Sequence, residues 1–220
     1  MAEGVLVGIS GGVDSAVAAA ILQERGYRVE GLYLRNGFPV GNERDAAAVA
    51  DRLGFPFHTR DIAPSFRGEV VDYFAEEYLA GRTPNPCIVC NKRIKFRYLL
   101  EEAHARGLGF VATGHYARIE DMGREDGLGL FKGIDRGKDQ SYFLFQLGQE
   151  ELRRLILPNG DRTKGAVQEM AQNLGLPSQR ESQEICFIPD DNYRHFLEHY
   201  PATLPPPGNI VDREGNIVGR

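Results

Sequence analysis

The chain has 220 residues, of which 42% are hydrophobic and 26% charged, and its formal net charge at pH 7 is −5. This length provides one substantial core and room for a smaller second unit, and the negative charge excludes a general electrostatic attraction for nucleic acid. With only three cysteines, no stretch near the roughly 20 apolar residues of a membrane span and no secretion signal in MAEGVLVGIS, we expect a cytoplasmic protein with no membrane partner.

The first half of the chain alternates the patterns of strands and helices. Residues 4–9 form an apolar run, which leads through SGGVDS into a segment with apolar side chains at helical spacing. Further strands are predicted at about 29–35, 55–60 and 109–116, and further helices at about 42–53, 64–80 and from Phe96 onward. This alternation predicts an α/β protein with a doubly wound, mostly parallel sheet between helices.

The pattern changes after residue 116. Residues 117–134 have glycines and charges between two short apolar arms, which predicts a hairpin. Residues 167–174 carry apolar side chains at helical spacing. The C-terminal NIVDREGNIV predicts a second hairpin with Glu214 and Gly215 at its turn. We therefore expect a smaller, mainly helical second unit.

The glycine-rich segment GISGGVDS, Gly8 to Ser15, falls at a predicted strand-to-helix turn. Glycines let the backbone approach a ligand there, and the outward-pointing amides of a helix N-terminus favour phosphate. Val13 and Asp14 stand where a Walker A loop would need a glycine and a lysine. Because Asp14 would repel a phosphate, we expect Mg²⁺ between them. A glycine-rich turn that only caps a helix is the alternative.

The segment TPNPCIVCNKRIKF, residues 83–96, contains two of the three cysteines as C-x-x-C, followed by basic side chains. A helix is predicted to begin near residue 88, so its dipole and the neighbouring lysines and arginine should favour the thiolate of Cys90. Cys186 has apolar neighbours in ICFI, and a small buried cysteine is the alternative to a reactive one at that position.

Five segments share the order and approximate spacing of one enzyme family: ISGGVDS, AGRTPNPCIVCNKRIKF, ATGHYAR, KDQSYFLF and ICFIPDDNYRHFL. They resemble the tRNA-specific 2-thiouridylases, whose first motif is the PP-loop of the N-type ATP pyrophosphatases. The resemblance implies an enzyme that splits ATP into AMP and pyrophosphate, adenylates the 2-oxygen of the wobble uridine of tRNA, and replaces that oxygen with sulfur. It also implies a PP-loop ATP pyrophosphatase domain over 1–160 and a small central tRNA-binding domain over 161–220. In that family a C-terminal β-barrel follows, so we expect the chain to be part of a longer protein.

The family motifs imply roles for individual residues. Cys90 matches the nucleophilic cysteine, and Cys186 matches the cysteine that carries a persulfide sulfur. The implied ATP-binding positions are Gly8, Ile9, Ser10, Gly11, Gly12, Val13, Asp14, Ser15, Leu34 and Gly114. The implied tRNA-binding positions are Asn85, Pro86, Cys87, His115, Lys138, Asp139 and Gln140. The implied cofactors are ATP and Mg²⁺, and the implied partners are tRNA and a sulfur source, either a cysteine desulfurase or persulfide relay protein or inorganic sulfide.

Cys87 stands where many family members have aspartate, and this difference leaves a second mechanism open. A four-iron four-sulfur cluster on Cys87, Cys90 and Cys186 would leave one iron free to carry sulfide. A Cys₃His zinc site would add His115 or His195. Two other functions also stay open: another PP-loop ligase or amidating enzyme, which would give the thiols no role, and a non-catalytic module that binds ATP or tRNA or carries sulfur.

The remaining motifs carry weaker signals. Gly114 and His115 follow a predicted strand, where open α/β sheets bind ligands, and a hydrogen-bonded core histidine is the alternative. Residues 138–140 are predicted to begin a helix. Three aromatic side chains after them are predicted to lie in the core: Tyr142, Phe143 and Phe145.

Overall fold

The computed structural model describes residues 2–38, 43–123, 127–176, 185–188, 190, 192–200 and 208–219. In chain order its strands are β1 (Gly4–Gly8), β2 (Arg28–Arg35), β3 (Phe57–Asp61), β4 (Phe110–Ala112), β5 (Ala117–Asp121), β6 (Leu128–Lys132), β7 (Leu155–Ile156), β8 (Ile210–Val211) and β9 (Ile217–Gly219). A five-stranded parallel sheet has the order β3-β2-β1-β4-β7. The predicted α/β class with a parallel sheet is confirmed, and the two-residue strand β7 is an addition to it.

The helices follow the predicted alternation with the strands. The α-helices are α1 (Val13–Glu24), α2 (Glu43–Leu53), α3 (Ala63–Phe66), α4 (Asp72–Leu79), α5 (Pro86–Val89), α6 (Phe96–Ala105), α7 (Gln149–Arg154), α8 (Lys164–Asn173) and α9 (Tyr193–Glu198). Two π-helical segments join neighbouring helices: Arg67–Val71 lies between α3 and α4, and Cys90–Lys95 lies between α5 and α6. The helix predicted at 64–80 is therefore one continuous helical segment with a wider turn inside it.

Helices cover both faces of the sheet. Successive side chains of a strand point to opposite faces, and those of β1 enter two different hydrophobic clusters. Val5 and Val7 belong to the cluster that contains residues of α1, α2 and α8. Leu6 belongs to the cluster that contains residues of α6 and α7. All three side chains are fully buried. This two-sided cover is the doubly wound arrangement that the sequence predicted.

A third hydrophobic cluster joins the helices on either side of the C-x-x-C segment to residues 185–188 and 193–200. Phe187 lies at its centre, with its ring centroid 5.3 Å from that of Phe74 in α4 and 5.5 Å from that of Phe196 in α9. The short stretch around Cys186 is thus fixed against helices that precede it by about half of the chain.

The second half contains the two predicted hairpins, β5–β6 and β8–β9, and both are antiparallel. Gly215 has a φ of +89° at the second turn.

Helix α8 begins after the predicted domain boundary at residue 160 and packs in the same cluster as α1. The division into two domains stays a prediction. None of the helices in the described part of the chain is long and apolar enough to cross a membrane.

Candidate active site

The candidate site lies at the carboxyl edge of the parallel sheet. β1 lies between β2 and β4, and the chain order changes direction at this point, which is where open α/β sheets bind ligands. Gly8 ends β1, Leu34 is the second-last residue of β2, and Gly114 lies two residues beyond β4. The structure therefore brings these three predicted ATP-binding residues to one edge.

The glycine loop, residues 8–15, is held in shape by its two serines. Ser15 Oγ donates to the Gly12 carbonyl at 3.0 Å and accepts from the Ser10 amide at 3.2 Å. Gly11 has a φ of +86°, in the left-handed region that favours glycine. Gly12 is the N-cap of α1 and has no side chain that could satisfy the first-turn amides. These amides remain suited to an anion such as pyrophosphate.

Asp14 is bound by two side chains to which the sequence analysis assigned no role. Lys164 Nζ donates to both carboxylate oxygens, at 2.7 and 2.9 Å, and Tyr116 Oη donates to one of them at 2.6 Å. The side chain of Lys164 is only 11% exposed, and a buried ammonium requires such a partner. The Asp14 side chain keeps 36% of its surface exposed. It therefore fits a Mg²⁺ that arrives with phosphates, because this ion takes only one or two carboxylates from the protein.

Asn159 connects the loop after β4 to the start of α1. Its side chain is fully buried, and Nδ2 donates to the backbone oxygens of Asp14 at 2.9 Å and Gly114 at 3.0 Å. A Cβ added at Gly114 would lie 2.6 Å from the carbonyl carbon of Asp14, so glycine is required where the two loops meet. Lys164 and Asn159 are 150 and 145 positions away from Asp14 in the sequence. No local pattern could have predicted them.

The C-x-x-C segment folds as a short α-helical turn followed by a π-helical one. Asn85 caps α5 by accepting from the Cys87 amide at 3.2 Å, and Pro86 occupies the first helical position. The helix begins two residues earlier than predicted, so Cys90 is not in its first turn but opens the π-helical segment.

The structure brings the two predicted catalytic thiols into one region. Cys90 packs in the same hydrophobic cluster as Ile185 and Phe187, the two neighbours of Cys186. All three cysteines are free, and Cys186 is exposed rather than a small buried core residue. Their catalytic roles are not decided by this proximity alone.

Burial controls the protonation of the thiols. It raises the pKa of Cys87 and of Cys90. Cys186 keeps a solvent-exposed surface, but the protein packed around its thiol removes much of the water there and raises its pKa to about 12, to which the nearby Cys90 and Cys87 also contribute. Lys95 lowers all three pKa values. The prediction that the helix dipole and basic neighbours favour a Cys90 thiolate is wrong, because lost hydration outweighs the positive charge.

The positive charges of the C-x-x-C segment differ in their partners. Lys92 forms an ion pair with Glu151, and Arg97 forms one with Glu69 at 2.8 Å. In the part of the chain that the structure describes, Lys95 has no carboxylate within ion-pair distance. Its charge therefore acts on the thiols without local compensation.

The described residues give no support for a metal site at the three thiols. Across the described ranges, which include Cys87, Cys90 and Cys186, no group of three or more histidine, cysteine, aspartate and glutamate side chains is placed to hold a metal ion. The arrangement therefore supports neither the iron-sulfur cluster nor the zinc site considered from the sequence.

His115 follows Gly114 and contacts protein groups on several sides. Its Nδ1 lies 2.7 Å from Thr113 Oγ1, and burial, followed by the charge of Lys95, lowers its pKa well below 6.5. The ring is therefore neutral at pH 7 and offers no positive charge to RNA. Its contact with tRNA stays a prediction.

Residues 138–140 form no helix, and a single 3₁₀ turn, Ser141–Phe143, follows them. Asp139 accepts from the Gly133 amide at 3.1 Å and from Ser141 Oγ at 2.9 Å, and Gln140 Oε1 accepts from the Tyr116 amide at 3.1 Å. The side chains of Asp139 and Gln140 thus hold this loop against the backbone at Gly133 and Tyr116. The tRNA contacts of Lys138, Asp139 and Gln140 stay predictions.

Two of the three aromatic side chains predicted in the core are exposed. Tyr142 is 52% and Phe145 is 64% exposed, whereas Phe143 packs against the cluster on the α6 face. A single 3₁₀ turn cannot direct all three rings inward. The pKa of Tyr142 is raised by partial burial and then by the proximity of Cys87, which locates this exposed ring beside the C-x-x-C segment.

Comparison with known proteins identifies the family. A family model described as the tRNA methyl transferase HUP domain matches residues 3–190. The chain belongs to this family. Within it, the tRNA-specific 2-thiouridylase MnmA of Carboxydothermus hydrogenoformans is 48% identical over 235 residues, covering 98% of this chain and 64% of the relative. The enzyme of the same name from Heliobacterium modesticaldum is 49% identical, covering 100% of this chain and 61% of the relative.

These relatives confirm the resemblance that the motifs predicted. The chain spans less than two thirds of the length of the curated relatives that it matches. A solved structure described as a predicted subunit of tRNA methyltransferase from Methanocaldococcus jannaschii has a TM-score of 0.51 and 20% identity, and covers 77% of this chain and 74% of that one. At this identity the likeness supports the fold alone.

Proposed function

We propose that this chain carries the catalytic part of an ATP-dependent tRNA-uridine 2-sulfurtransferase. The supporting observation is that two thiols distant in the sequence, Cys90 and Cys186, belong to one region beside the sheet edge that holds the glycine loop. Lys95 connects the two parts, since its charge acts on all three thiols and on His115, the residue after Gly114.

The glycine loop supplies the ATP site of the proposed enzyme. Amides of residues 11–15 and the serine hydroxyls donate to the phosphates, while Gly114 leaves room for close approach of the two loops. Asp14 would hold a Mg²⁺ that accompanies ATP, and the ion would supply neutralisation of the phosphate charge during cleavage between the α and β phosphates. The products are AMP and pyrophosphate.

The thiols supply the sulfur chemistry. A uridine carbonyl is a poor electrophile, because substitution would expel oxide or hydroxide, and adenylation turns that oxygen into a phosphate leaving group. A persulfide on Cys186 attacks C2 and displaces AMP. Cys90 then attacks the Cys186 sulfur, which forms the Cys90–Cys186 disulfide and leaves thiouridine. Both electrons needed to reduce the transferred sulfur come from the two thiols.

The RNA site of the proposed enzyme uses stacking more than charge. Lys92 and Arg97 are already paired with glutamates, and the net charge of the chain is negative. Tyr142 instead offers an exposed ring close to the C-x-x-C segment, and Phe145 offers a second exposed ring three positions further along the chain. Aromatic rings of this kind stack on unpaired bases such as those of an anticodon loop.

The sulfur atom comes from a cysteine desulfurase, a persulfide relay protein or inorganic sulfide. The three free thiols of the chain need a reducing compartment, so we place the activity in the cytoplasm.

The test is a thiolation assay. The chain is incubated with tRNA that carries a wobble uridine, with ATP, Mg²⁺ and a persulfide source, and thiouridine is measured by mass spectrometry. Loss of the product in Cys90→Ser and Cys186→Ser supports the proposal. Undiminished thiolation in both variants contradicts it. A longer protein that extends this chain serves as the reference, because the curated relatives are longer.

A further inference from the structure

The chain has one more thiol than the proposed reaction uses. Cys87 is free and partly buried, and it precedes Cys90 by one helical turn. Side chains three positions apart in a helical turn lie on the same face, with Cβ atoms about 5–6 Å apart. A disulfide needs Cβ atoms about 3.5–4.5 Å apart, so the two residues must approach each other by about 1–2 Å to form one.

Cys90 is a neighbour of both other thiols. Cys90 shares a helical turn with Cys87 and a hydrophobic cluster with the neighbours of Cys186. Cys90 is the middle thiol.

Thiol–disulfide exchange requires the attacking sulfur to reach one sulfur of an existing disulfide, and Cys87 lies one helical turn from Cys90. The geometry points to Cys87 as a resolving thiol, which attacks Cys90 in the Cys90–Cys186 disulfide and frees Cys186 for the next sulfur. This inference rests on the proposed function for the origin of that disulfide.

The step is balanced. A Cys87–Cys90 bond forms, the Cys90–Cys186 bond breaks, and the Cys186 sulfur leaves as a thiolate that takes the proton lost by Cys87. No oxidant or reductant is consumed, since the number of disulfides is unchanged. A dithiol reductant later reduces the Cys87–Cys90 disulfide, but Cys186 is available before that reaction occurs.

A first experiment tests the exchange without turnover. The fully reduced chain receives one equivalent of dithiobis-nitrobenzoate under anaerobic conditions at mildly alkaline pH. After equilibration it is quenched with acid, alkylated and mapped by peptide mass spectrometry. The expected result is a dominant Cys87–Cys90 disulfide and an alkylated Cys186. A dominant disulfide that contains Cys186 would overturn the inference.

Two variants test the order of the thiols. Cys87→Ser should lose the Cys87–Cys90 species and accumulate Cys90–Cys186. Cys90→Ser removes the thiol through which the exchange passes, so this variant should keep the reagent as a mixed disulfide. Formation of a Cys87–Cys186 disulfide in that variant would show that Cys87 reaches Cys186 directly and would contradict this order.

A second experiment follows one turnover. The persulfide-loaded chain is mixed with ATP, Mg²⁺ and tRNA without a reductant, and thiouridine and the disulfides are measured in the same sample. Thiouridine with a Cys87–Cys90 disulfide supports the inference, whereas thiouridine with a persistent Cys90–Cys186 disulfide and alkylated Cys87 contradicts it. Absence of thiouridine counts against the proposed function instead, and the exchange is then decided by the first experiment.

Discussion

Lys164 holds Asp14 through both carboxylate oxygens, at 2.7 and 2.9 Å, and so connects α8 to the glycine loop. We expect Lys164→Met to lower the free energy of unfolding by about 1–2 kcal/mol, since the carboxylate loses its cation but stays partly in water. Urea denaturation measures the change. Combined with Asp14→Asn in a double-mutant cycle, the losses should be non-additive, and additive losses would contradict a direct interaction.

Gly114→Ala should disturb the ATP site. Its Cβ would lie 2.6 Å from the Asp14 carbonyl carbon, so the two loops must separate. We expect a loss of about 1–3 kcal/mol in stability together with weaker ATP binding, measured by denaturation and calorimetry. Gly165→Ala in α8 is the matched control, because nothing lies within 4 Å of its Cβ, and it should stabilise the protein by about 0.5–1 kcal/mol. Equal behaviour of both variants would count against the close packing.

The low pKa of His115 predicts that the folded protein loses stability in acid. Its folded-state pKa lies well below the unfolded value of about 6.5, so the unfolded chain binds a proton first as the pH falls. The stabilising effect of the neutral ring is complete above pH 6.5 and is lost toward the folded pKa, by up to about 1.4 kcal/mol per pH unit. His115→Gln should flatten this part of a stability–pH curve. The exposed His104→Gln should not, and an unchanged slope in both would refute the assignment.

Lys95→Met should make the thiols less reactive. Removal of the cation raises the pKa of Cys90 further and so lowers the thiolate fraction at a fixed pH. We expect alkylation of Cys90 by iodoacetamide at pH 8 to slow by about threefold to tenfold. Arg93→Met removes an exposed charge two positions away and serves as the control. A similar slowing in both variants would indicate a general field rather than a local effect of Lys95.

Tyr142→Ala should weaken RNA binding without reducing stability. The ring is half-exposed, and stacking on one base is worth about 1–3 kcal/mol. Fluorescence anisotropy with an anticodon stem-loop measures the loss. Tyr142→Phe retains the ring and should restore most of the affinity, whereas an equal loss in both variants would assign the effect to the hydroxyl.

Features that depend on neighbouring residues were predictable from the sequence. The strand of residues 4–8, the glycine turn and α1 follow from apolar periodicity and turn chemistry, and both hairpins follow from their glycines. The relative positions of Cys90 and Cys186 followed only from the family resemblance. Periodicity contains no information on how two distant segments pack.

Features that arise from tertiary packing were missed. Strand β7 has two residues and is defined by its pairing with β4 rather than by a pattern of its own. The ion pair between Lys164 and Asp14 joins opposite parts of the chain. The protonation of Cys90 depends on burial by a cluster that includes residues 185–188, and this burial reverses what the local charges suggest.

The number of residues in the π-helical segment Cys90–Lys95 determines where the Cys90 thiol points. Its wider turn is closed by the bond from the Phe96 amide to the Asn91 carbonyl, five positions back, so it contains one residue more than a regular helical path. Deleting a single residue between Asn91 and Lys95 would restore a regular helix and rotate Cys90 by about 100° around the axis of α6. The buried face of α6 would keep its register while the thiol turned away from Cys186. Every side chain named in the reaction would survive such a deletion, yet the two sulfurs would no longer meet.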